Sequence, residues 1–140
     1  MTLTQLGHRT PPPESPDAAV LEAVPNPHPG LLYAVRFTCP EFTSICPVTG
    51  QPDFGTIVVV YTPGRLCLEL KSLKLYLWSF RDEGHYFEQA TNQILDDLVR
   101  VVKPRRMTVL GLFNVRGGIT TRVVARYESR GGRKGRASRG

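Results

Sequence analysis

The sequence lacks any hydrophobic run that approaches the roughly 20 apolar residues of a membrane-spanning helix. Its first residues, "MTLTQLGHRTPPPESPDAA", contain no basic segment followed by an apolar core, so they do not have the pattern of a secretory signal peptide. We therefore expect a soluble protein that resides in the cytoplasm and does not contact a membrane.

Cysteine and histidine are also scarce. The three cysteines are an odd number, at spacings that fit neither a disulfide framework nor a CxxC metal site: Cys39, Cys46 and Cys67. No pair of cysteines or histidines has the usual spacing of zinc ligands, so we expect no metal and a reducing compartment. A papain-type cysteine–histidine pair has His85 as its candidate base, because His8 and His28 both precede the first predicted strand.

Acidic residues are absent from the final eleven residues, which carry five of the positive charges. The formal net charge of +6 therefore falls to about +1 for the rest of the chain. A glycine- and arginine-rich end without apolar periodicity cannot offset its ordering entropy by burial. We predict a flexible proline-rich leader at residues 1–20, one compact domain at residues 21–128 and a disordered basic tail at residues 129–140.

The periodicity of the domain predicts four strands and two helices. "LLYAVRFTC" and "TIVVVYT" have strand patterns, and so do residues 107–113 and 119–128 around the turn "NVRGG". From Ser72 onwards the period is helical, and a second helical pattern begins after Gly84 and stops before Pro104. The residues that define the two apolar helix faces are Leu73, Leu77 and Phe80, then Phe87, Ala90, Ile94, Leu98 and Val101.

The resulting order, ββααββ, predicts an α+β fold with an antiparallel sheet and two helices on one face. Such a sheet has open edges, and pairing of edges between subunits is one way to close them. We therefore expect a homo-oligomer.

The stretch "SICPVTGQPDFGT" places Cys46 in a turn between two strands and Asp53 at the start of the second strand. A buried structural cysteine is one interpretation. The other is a nucleophile with Asp53 as its proton partner. Transfer of a proton from an ordinary thiol to an ordinary carboxylate is uphill by about 6 kcal/mol, so a catalytic site would have to close that gap.

Two separated motifs, "PEFTSICPVTGQPDFGT" and "ELKSLKLYLWSFRDEG", resemble the unimodular nitrile reductases of queuosine biosynthesis, the 7-cyano-7-deazaguanine reductases of the QueF family. The resemblance extends from about Leu21 to Tyr127. It implies a tunnelling fold (T-fold), in which ββααββ subunits join their sheets around a central tunnel with sites between subunits. It also implies a decamer of two stacked pentamers.

The resemblance further implies that the substrate is a deazapurine nitrile and that NADPH reduces it to the primary amine with two successive hydrides. Cys46 would add to the nitrile carbon to give a thioimide, and Asp53 would protonate the nitrogen. Glu88 matches the substrate-binding glutamate of the family, with Glu69 as a second candidate. A carboxylate suits this role because its two oxygens can accept the N–H donors of the base.

The cofactor site implied by the resemblance combines the second motif with the "RGG" turn. Lys71 and Lys74 stand three residues apart on one helix face and would meet the 2′-phosphate of NADPH, with Ser72 between them. Arg116 matches a family position that is linked to the cofactor, and Gly117 beside it permits close backbone approach. By themselves the two lysines could equally form a solvated helix face.

One position departs from the family pattern. Family members commonly carry a histidine immediately before the substrate-binding glutamate, where this chain has Phe87. His85, two residues earlier, could reach the same pocket, or it could have an ordinary surface or capping role. We keep Phe87 and His85 as candidate substrate contacts.

Two other functions remain open from the sequence. Archaeal relatives with the same cysteine and aspartate transfer ammonia to the nitrile on tRNA, but they lack the "ELKSLKLY" type of motif. A non-enzymatic RNA-binding module is the second alternative, driven by the arginine-rich tail. The near-neutral body and the absence of interleaved aromatic residues count against it, so no stable nucleic-acid partner is expected.

Overall fold

The computed structural model describes residues 16–130, so most of the predicted leader and tail lies outside the described residues. Within the described part, the last residues of the leader form a 3₁₀ turn at Ala18–Val20. Ala18 and Val20 pack against the hydrophobic core. After the last strand, the Ser129 N–H donates to the Arg105 carbonyl oxygen at 2.8 Å, so the ordered chain continues just beyond residue 128.

Six strands and two helices make up the domain, and the predicted order ββααββ describes its main elements. The strands are β1 (Ala23–Pro25), β2 (Val35–Ile45), β3 (Pro52–Thr62), β4 (Leu66–Leu68), β5 (Arg106–Arg116) and β6 (Ile119–Glu128). The helices are α1 (Leu70–Trp78), which runs into a 3₁₀ turn at Ser79–Asp82, and α2 (Phe87–Val102).

The four long strands form one antiparallel sheet, as predicted, and their spatial order is β2-β3-β5-β6. The two short strands β1 and β4 pair with each other beside it. The sequence pattern did not predict this second sheet, because three residues are too few to show a strand period. Strands β2 and β6 lie at the two edges of the main sheet.

The core lies between the main sheet and the helices. Helix α2 buries the face that carries Ala90, Ile94 and Leu98, and it approaches β5 closely. A Cβ atom at Gly111 would lie only 2.5 Å from Thr91 Oγ1, so the absence of a side chain allows the helix to sit there. The N-terminal half of α2 is thereby fixed over the middle of the sheet. In the described part of the chain, no helix is long and apolar enough to cross a membrane.

Strand β2 differs from the predicted strand at residues 31–39. It begins at Val35 and continues to Ile45. A β-bulge shifts the register between Cys39 and Phe42, so the alternation seen in the sequence breaks there although the strand continues. A bulge adds one residue and so exchanges the two faces of the strand. Beyond the bulge, Phe42 and Ser44 are therefore buried, and the strand carries the chain directly into Cys46.

Candidate active site

Cys46 lies in the tight connection between β2 and β3. Its N–H donates to the Gln51 carbonyl oxygen, and its own carbonyl oxygen accepts from the Gly50 N–H, both at 2.8 Å. Gly50 has a φ of +73°, a conformation that glycine adopts without steric cost. The turn therefore fixes the backbone of Cys46 and leaves its side chain partly exposed.

The surroundings of Cys46 favour its thiolate. The Thr49 hydroxyl lowers the pKa of Cys46 most, and the backbone N–H groups of Thr49 and Val48 lower it further. Burial opposes them, and the charge of Arg116 makes the smallest contribution to the lowering. Burial instead raises the pKa of Cys39. The thiolate is the nucleophilic form of cysteine, so Cys46 is better suited to nucleophilic addition than Cys39.

Asp53 is a buried carboxylate near this turn, with 6% of the residue exposed. It stands opposite Ser44 in the β2–β3 register. Cys46 follows Ser44 by two residues, which is the diagonal position to Asp53, and diagonal side chains can reach one another. The structure thus brings Cys46 and Asp53 to the same end of the sheet.

Arg116 meets Asp53 at this end. Its Nε lies 2.8 Å from Asp53 Oδ1. The two-residue turn after Arg116 is formed by Gly117 and Gly118, with φ of +60° and +81°, and it returns the chain into β6. The family resemblance links Arg116 to the cofactor, and that role stays a prediction. In the structure its guanidinium group contacts the candidate proton carrier.

The segment that leads into α2 forms the third side of the site. The Ile45 N–H donates to the Glu83 carbonyl oxygen at 2.9 Å, and the His85 N–H donates to the Ile45 carbonyl oxygen at 3.0 Å. His85 is therefore held next to the residue that precedes Cys46. Its burial lowers its pKa, so the ring is neutral at pH 7.

Three buried polar atoms in this region have no hydrogen-bond partner among residues 16–130: Ser44 Oγ and both ring nitrogens of His85. The His85 ring packs against Phe80, with ring centroids 5.2 Å apart. Buried polar atoms are nearly always paired in native proteins. Unsatisfied groups beside a candidate nucleophile are therefore available to a ligand.

Helix α2 begins with the two remaining substrate candidates. Glu88 lies exposed in the first turn, where the positive end of the helix dipole favours its carboxylate. Phe87 is half-buried and stacks on Phe113, with ring centroids 4.1 Å apart. One face of the Phe87 ring is thus occupied by the protein.

Glu69 and Ser72, by contrast, are used by the fold. Glu69 caps α1, and its two carboxylate oxygens accept from the N–H groups of Lys71 at 2.9 Å and Ser72 at 2.8 Å. The fully buried Ser72 hydroxyl donates to the Glu69 carbonyl oxygen and accepts from the Glu22 N–H. Both side chains thus have structural partners within the subunit, and the expected roles of Glu69 in substrate binding and Ser72 in cofactor binding stay predictions.

The two lysines of the motif differ in exposure. Lys74 is exposed and lines a groove of about 890 Å³ between α1 and β2, whereas Lys71 is half-buried and does not line it. The groove also contains two arginines and an exposed tryptophan, none of which the sequence singled out: Arg36, Arg81 and Trp78. The Arg81 guanidinium carbon lies 5.0 Å from the centroid of the Trp78 ring.

Comparison with known proteins places these features in a family. A family model described as "QueF-like protein" matches residues 52–132. A curated protein of Thermomicrobium roseum, named NADPH-dependent 7-cyano-7-deazaguanine reductase, is 61% identical over 108 residues, which cover 77% of this chain and 84% of that protein. A protein of Thiobacillus denitrificans with the same name is 55% identical over 119 residues, which cover 85% of each chain.

A solved structure supports the fold. The crystal structure of the archaeosine synthase QueF-Like in the apo form has a TM-score of 0.61 and 21% sequence identity to this chain. The alignment covers 70% of this chain and 94% of the solved chain. At this identity the likeness shows a shared T-fold subunit.

Proposed function

This chain belongs to the QueF family, and we propose that it reduces 7-cyano-7-deazaguanine to 7-aminomethyl-7-deazaguanine with NADPH, by way of a thioimide on Cys46, in tRNA queuosine biosynthesis. Relatives that are 55–61% identical carry the name of this reductase and state its dependence on NADPH. The observation that supports the covalent route is a thiol with a lowered pKa, held diagonally to the buried Asp53.

The addition step requires one nucleophile and one proton carrier. The Cys46 sulfur forms a bond to the nitrile carbon, and the C≡N triple bond becomes a C=N double bond. Asp53 takes the thiol proton and returns it to the nitrogen, so the adduct gains no net charge. A positioned acid–base group of this kind typically accelerates a reaction by about 10² to 10⁴-fold.

Recognition of the base falls to the start of α2. The Glu88 carboxylate is exposed and can accept two N–H donors of a guanine-like ring. His85 adds two unpaired ring nitrogens, and its neutral imidazole offers one donor and one acceptor. Phe87 contributes its stack on Phe113, which we assign to positioning Glu88.

The groove beside α1 fits a dinucleotide. Its volume of about 890 Å³ is within the usual range of ligand pockets, and Lys74, Arg36 and Arg81 supply charges that suit phosphates. Lys71 stands one helical turn before Lys74 and extends the positive surface. When NADPH is bound it supplies the two hydrides of the reaction. Strands β2 and β3 both carry residues of this groove, β3 also carries Asp53, and the turn that follows β2 carries Cys46.

The open edges of the main sheet support assembly. We propose that β2 of one subunit pairs with β6 of the next to close a ring, and that two pentamers form a decamer. We place the enzyme in the cytoplasm, where a reduced Cys46 and NADPH are both available.

The proposal is tested with the purified chain, the nitrile base and NADPH. With the nitrile alone, mass spectrometry should find one adduct per subunit on the Cys46 peptide. With NADPH, two cofactors should be oxidised for each amine formed. Cys46→Ala should abolish both results, whereas the matched variants Cys39→Ala and Cys67→Ala should retain them. An adduct on another cysteine, or turnover without NADPH oxidation, would contradict the proposal.

A further inference from the structure

The contact between Arg116 and Asp53 depends on an irregularity in β5. Phe113 pairs with Thr121, and Arg116 pairs with Ile119, so β5 advances three residues while β6 advances two. This is a β-bulge with one extra residue on β5. Along β5 the core-facing residues alternate up to Phe113, and a regular strand would continue that face at Val115.

The bulge turns Val115 outwards and Arg116 inwards. Val115 is 65% exposed, whereas the Arg116 side chain reaches the buried Asp53 with a 2.8 Å contact. Without the extra residue, Arg116 would lie on the opposite face of the sheet. β-Bulges are common next to active sites, where they re-aim a side chain.

We propose that Arg116 is a positioning residue of the reaction, which the β5 bulge aims at Asp53 so that the carboxylate is held in one orientation when Cys46 adds to the nitrile. This inference rests on the proposed function, because it assigns Asp53 the proton of the Cys46 thiol. It differs from a cofactor role in that it acts before NADPH is needed.

The physical reason is the burial of Asp53. A desolvated carboxylate is costly unless it is paired, and a protonated carboxyl group could not accept the thiol proton. The Arg116 cation pairs with the buried carboxylate at 2.8 Å, and its charge makes the smallest of the contributions that lower the pKa of Cys46. Other titratable groups on neighbouring elements are Glu83 and His85, and then Glu88 at the start of α2. Of these, neutral His85 cannot replace the cation.

The rate of adduct formation with the nitrile alone, measured in single turnovers from pH 5 to pH 10, tests this role without NADPH. The productive state holds one proton on the Cys46–Asp53 pair, so the profile is bell-shaped. Loss of the cation should raise the pKa of the Cys46 thiol, to which Arg116 contributes, and so move the profile to higher pH. We expect Arg116→Gln to shift the optimum upwards and to lower the rate at pH 7 by at least tenfold, and Arg116→Lys to lie nearer the wild type.

The matched control is Arg100→Gln, which removes an exposed arginine from the last turn of α2 and should leave the profile unchanged. In an Asp53→Asn background, Arg116→Gln should have little further effect on the adduct rate, because the two residues act as one unit. If Arg116→Gln does not fold, Arg116→Lys is compared in the wild-type and Asp53→Asn backgrounds instead.

An unmoved pH optimum in Arg116→Gln, with only a lower rate, would overturn the inference and indicate a merely structural contact. Full additivity with Asp53→Asn would overturn it as well. If the wild-type chain forms no adduct, the proposed function is wrong and this inference falls with it. If the wild type forms the adduct but Arg116→Gln has the wild-type pH optimum, only this inference is wrong.

Discussion

Phe87 stacks almost parallel on Phe113, with ring centroids 4.1 Å apart and an angle of 11° between the ring planes. Phe87 is the residue before the candidate base-binding Glu88, and Phe113 is the last core-facing residue before the bulge in β5. The stack therefore ties the start of α2 to the strand that carries Arg116. The resemblance led us to expect a histidine at this position. In this chain the phenylalanine there has a packing role.

Replacement of Phe87 by alanine should therefore cost stability more than substrate affinity. For a half-buried phenylalanine in a stacked pair we expect a loss of about 2 kcal/mol in the free energy of unfolding. Urea denaturation followed by circular dichroism measures it, and Phe87→Leu, which keeps apolar volume, should lose less. A large loss of base affinity at unchanged stability would instead make Phe87 a substrate contact.

The Thr49 hydroxyl should be needed for the reactivity of Cys46, because it lowers the pKa of the thiol more than any other group does. Loss of the hydroxyl in Thr49→Val raises that pKa, so less thiolate exists at pH 7. We expect alkylation by iodoacetamide and adduct formation to slow by roughly three- to tenfold at pH 7, and less at pH 9. The rate–pH profile measures the shift of the midpoint.

Thr49→Ser is the matched control, since it keeps the hydroxyl and should stay near the wild-type midpoint. Thr49 also accepts from the Gln51 N–H at 3.2 Å, so the serine variant preserves the turn as well. An equal slowing in both variants would contradict the prediction, because only Thr49→Val loses the hydroxyl.

Loss of Glu69 should change the stability of the protein, whereas loss of Glu88 should change its affinity for the base. Glu69→Ala removes the cap of α1 and should lower the free energy of unfolding by about 1 to 2 kcal/mol. Glu88→Gln lies on an exposed helix turn and should leave stability within about 0.5 kcal/mol. It should weaken binding of the base by roughly 10- to 100-fold, because hydrogen bonds to a charged acceptor are lost.

Isothermal titration with the base on Cys46→Ala variants measures affinity without turnover, and denaturation measures stability. Glu69→Gln keeps much of the capping geometry. If it weakened binding of the base as strongly as Glu88→Gln does, Glu69 would be a substrate contact.

Lys74 should discriminate NADPH from NADH more than Lys71 does, because only Lys74 lines the groove. We expect Lys74→Ala to raise the KM for NADPH by about tenfold and to change the KM for NADH little, since NADH lacks the phosphate that the charge would meet. Arg100→Ala, which removes an exposed cation from α2, is the control. An equal rise in KM for both cofactors would show that Lys74 does not contact the 2′-phosphate.

The sequence predicted the elements that have long, regular periods. The apolar face of α2 at Ala90, Ile94 and Leu98 is buried as expected, and the β-branched run of β3 is a central strand. Cys46 and Asp53 could be paired from sequence because a tight turn separates them, so local geometry already brings them close.

The sequence could not predict the contacts that depend on irregular backbone geometry. The bulge in β5 reverses the faces after Phe113, so alternation alone would have turned Arg116 away from Asp53. Glu69 and Ser72 belong to a recognisable motif, yet their side chains form hydrogen bonds with backbone groups at the start of α1. A Ser or Asp in front of a helix signals a cap more strongly than Glu does, and that signal was missing here.

The last prediction separates Asp53 from His85 as the proton carrier. Asp53→Asn keeps the shape of the side chain but removes the group that takes and returns a proton, since an amide does not titrate at neutral pH. His85 is buried and neutral at pH 7, so it can donate or accept a hydrogen bond to the base without carrying charge. If Asp53 is the carrier, Asp53→Asn should slow thioimide formation by about 10² to 10⁴-fold while the base still binds. His85→Ala should then weaken the base and leave the shape of the pH profile unchanged. Single-turnover adduct formation and base affinity, measured for both variants, decide between the two residues. A normal adduct rate in Asp53→Asn together with a lost rate in His85→Ala would reverse the assignment.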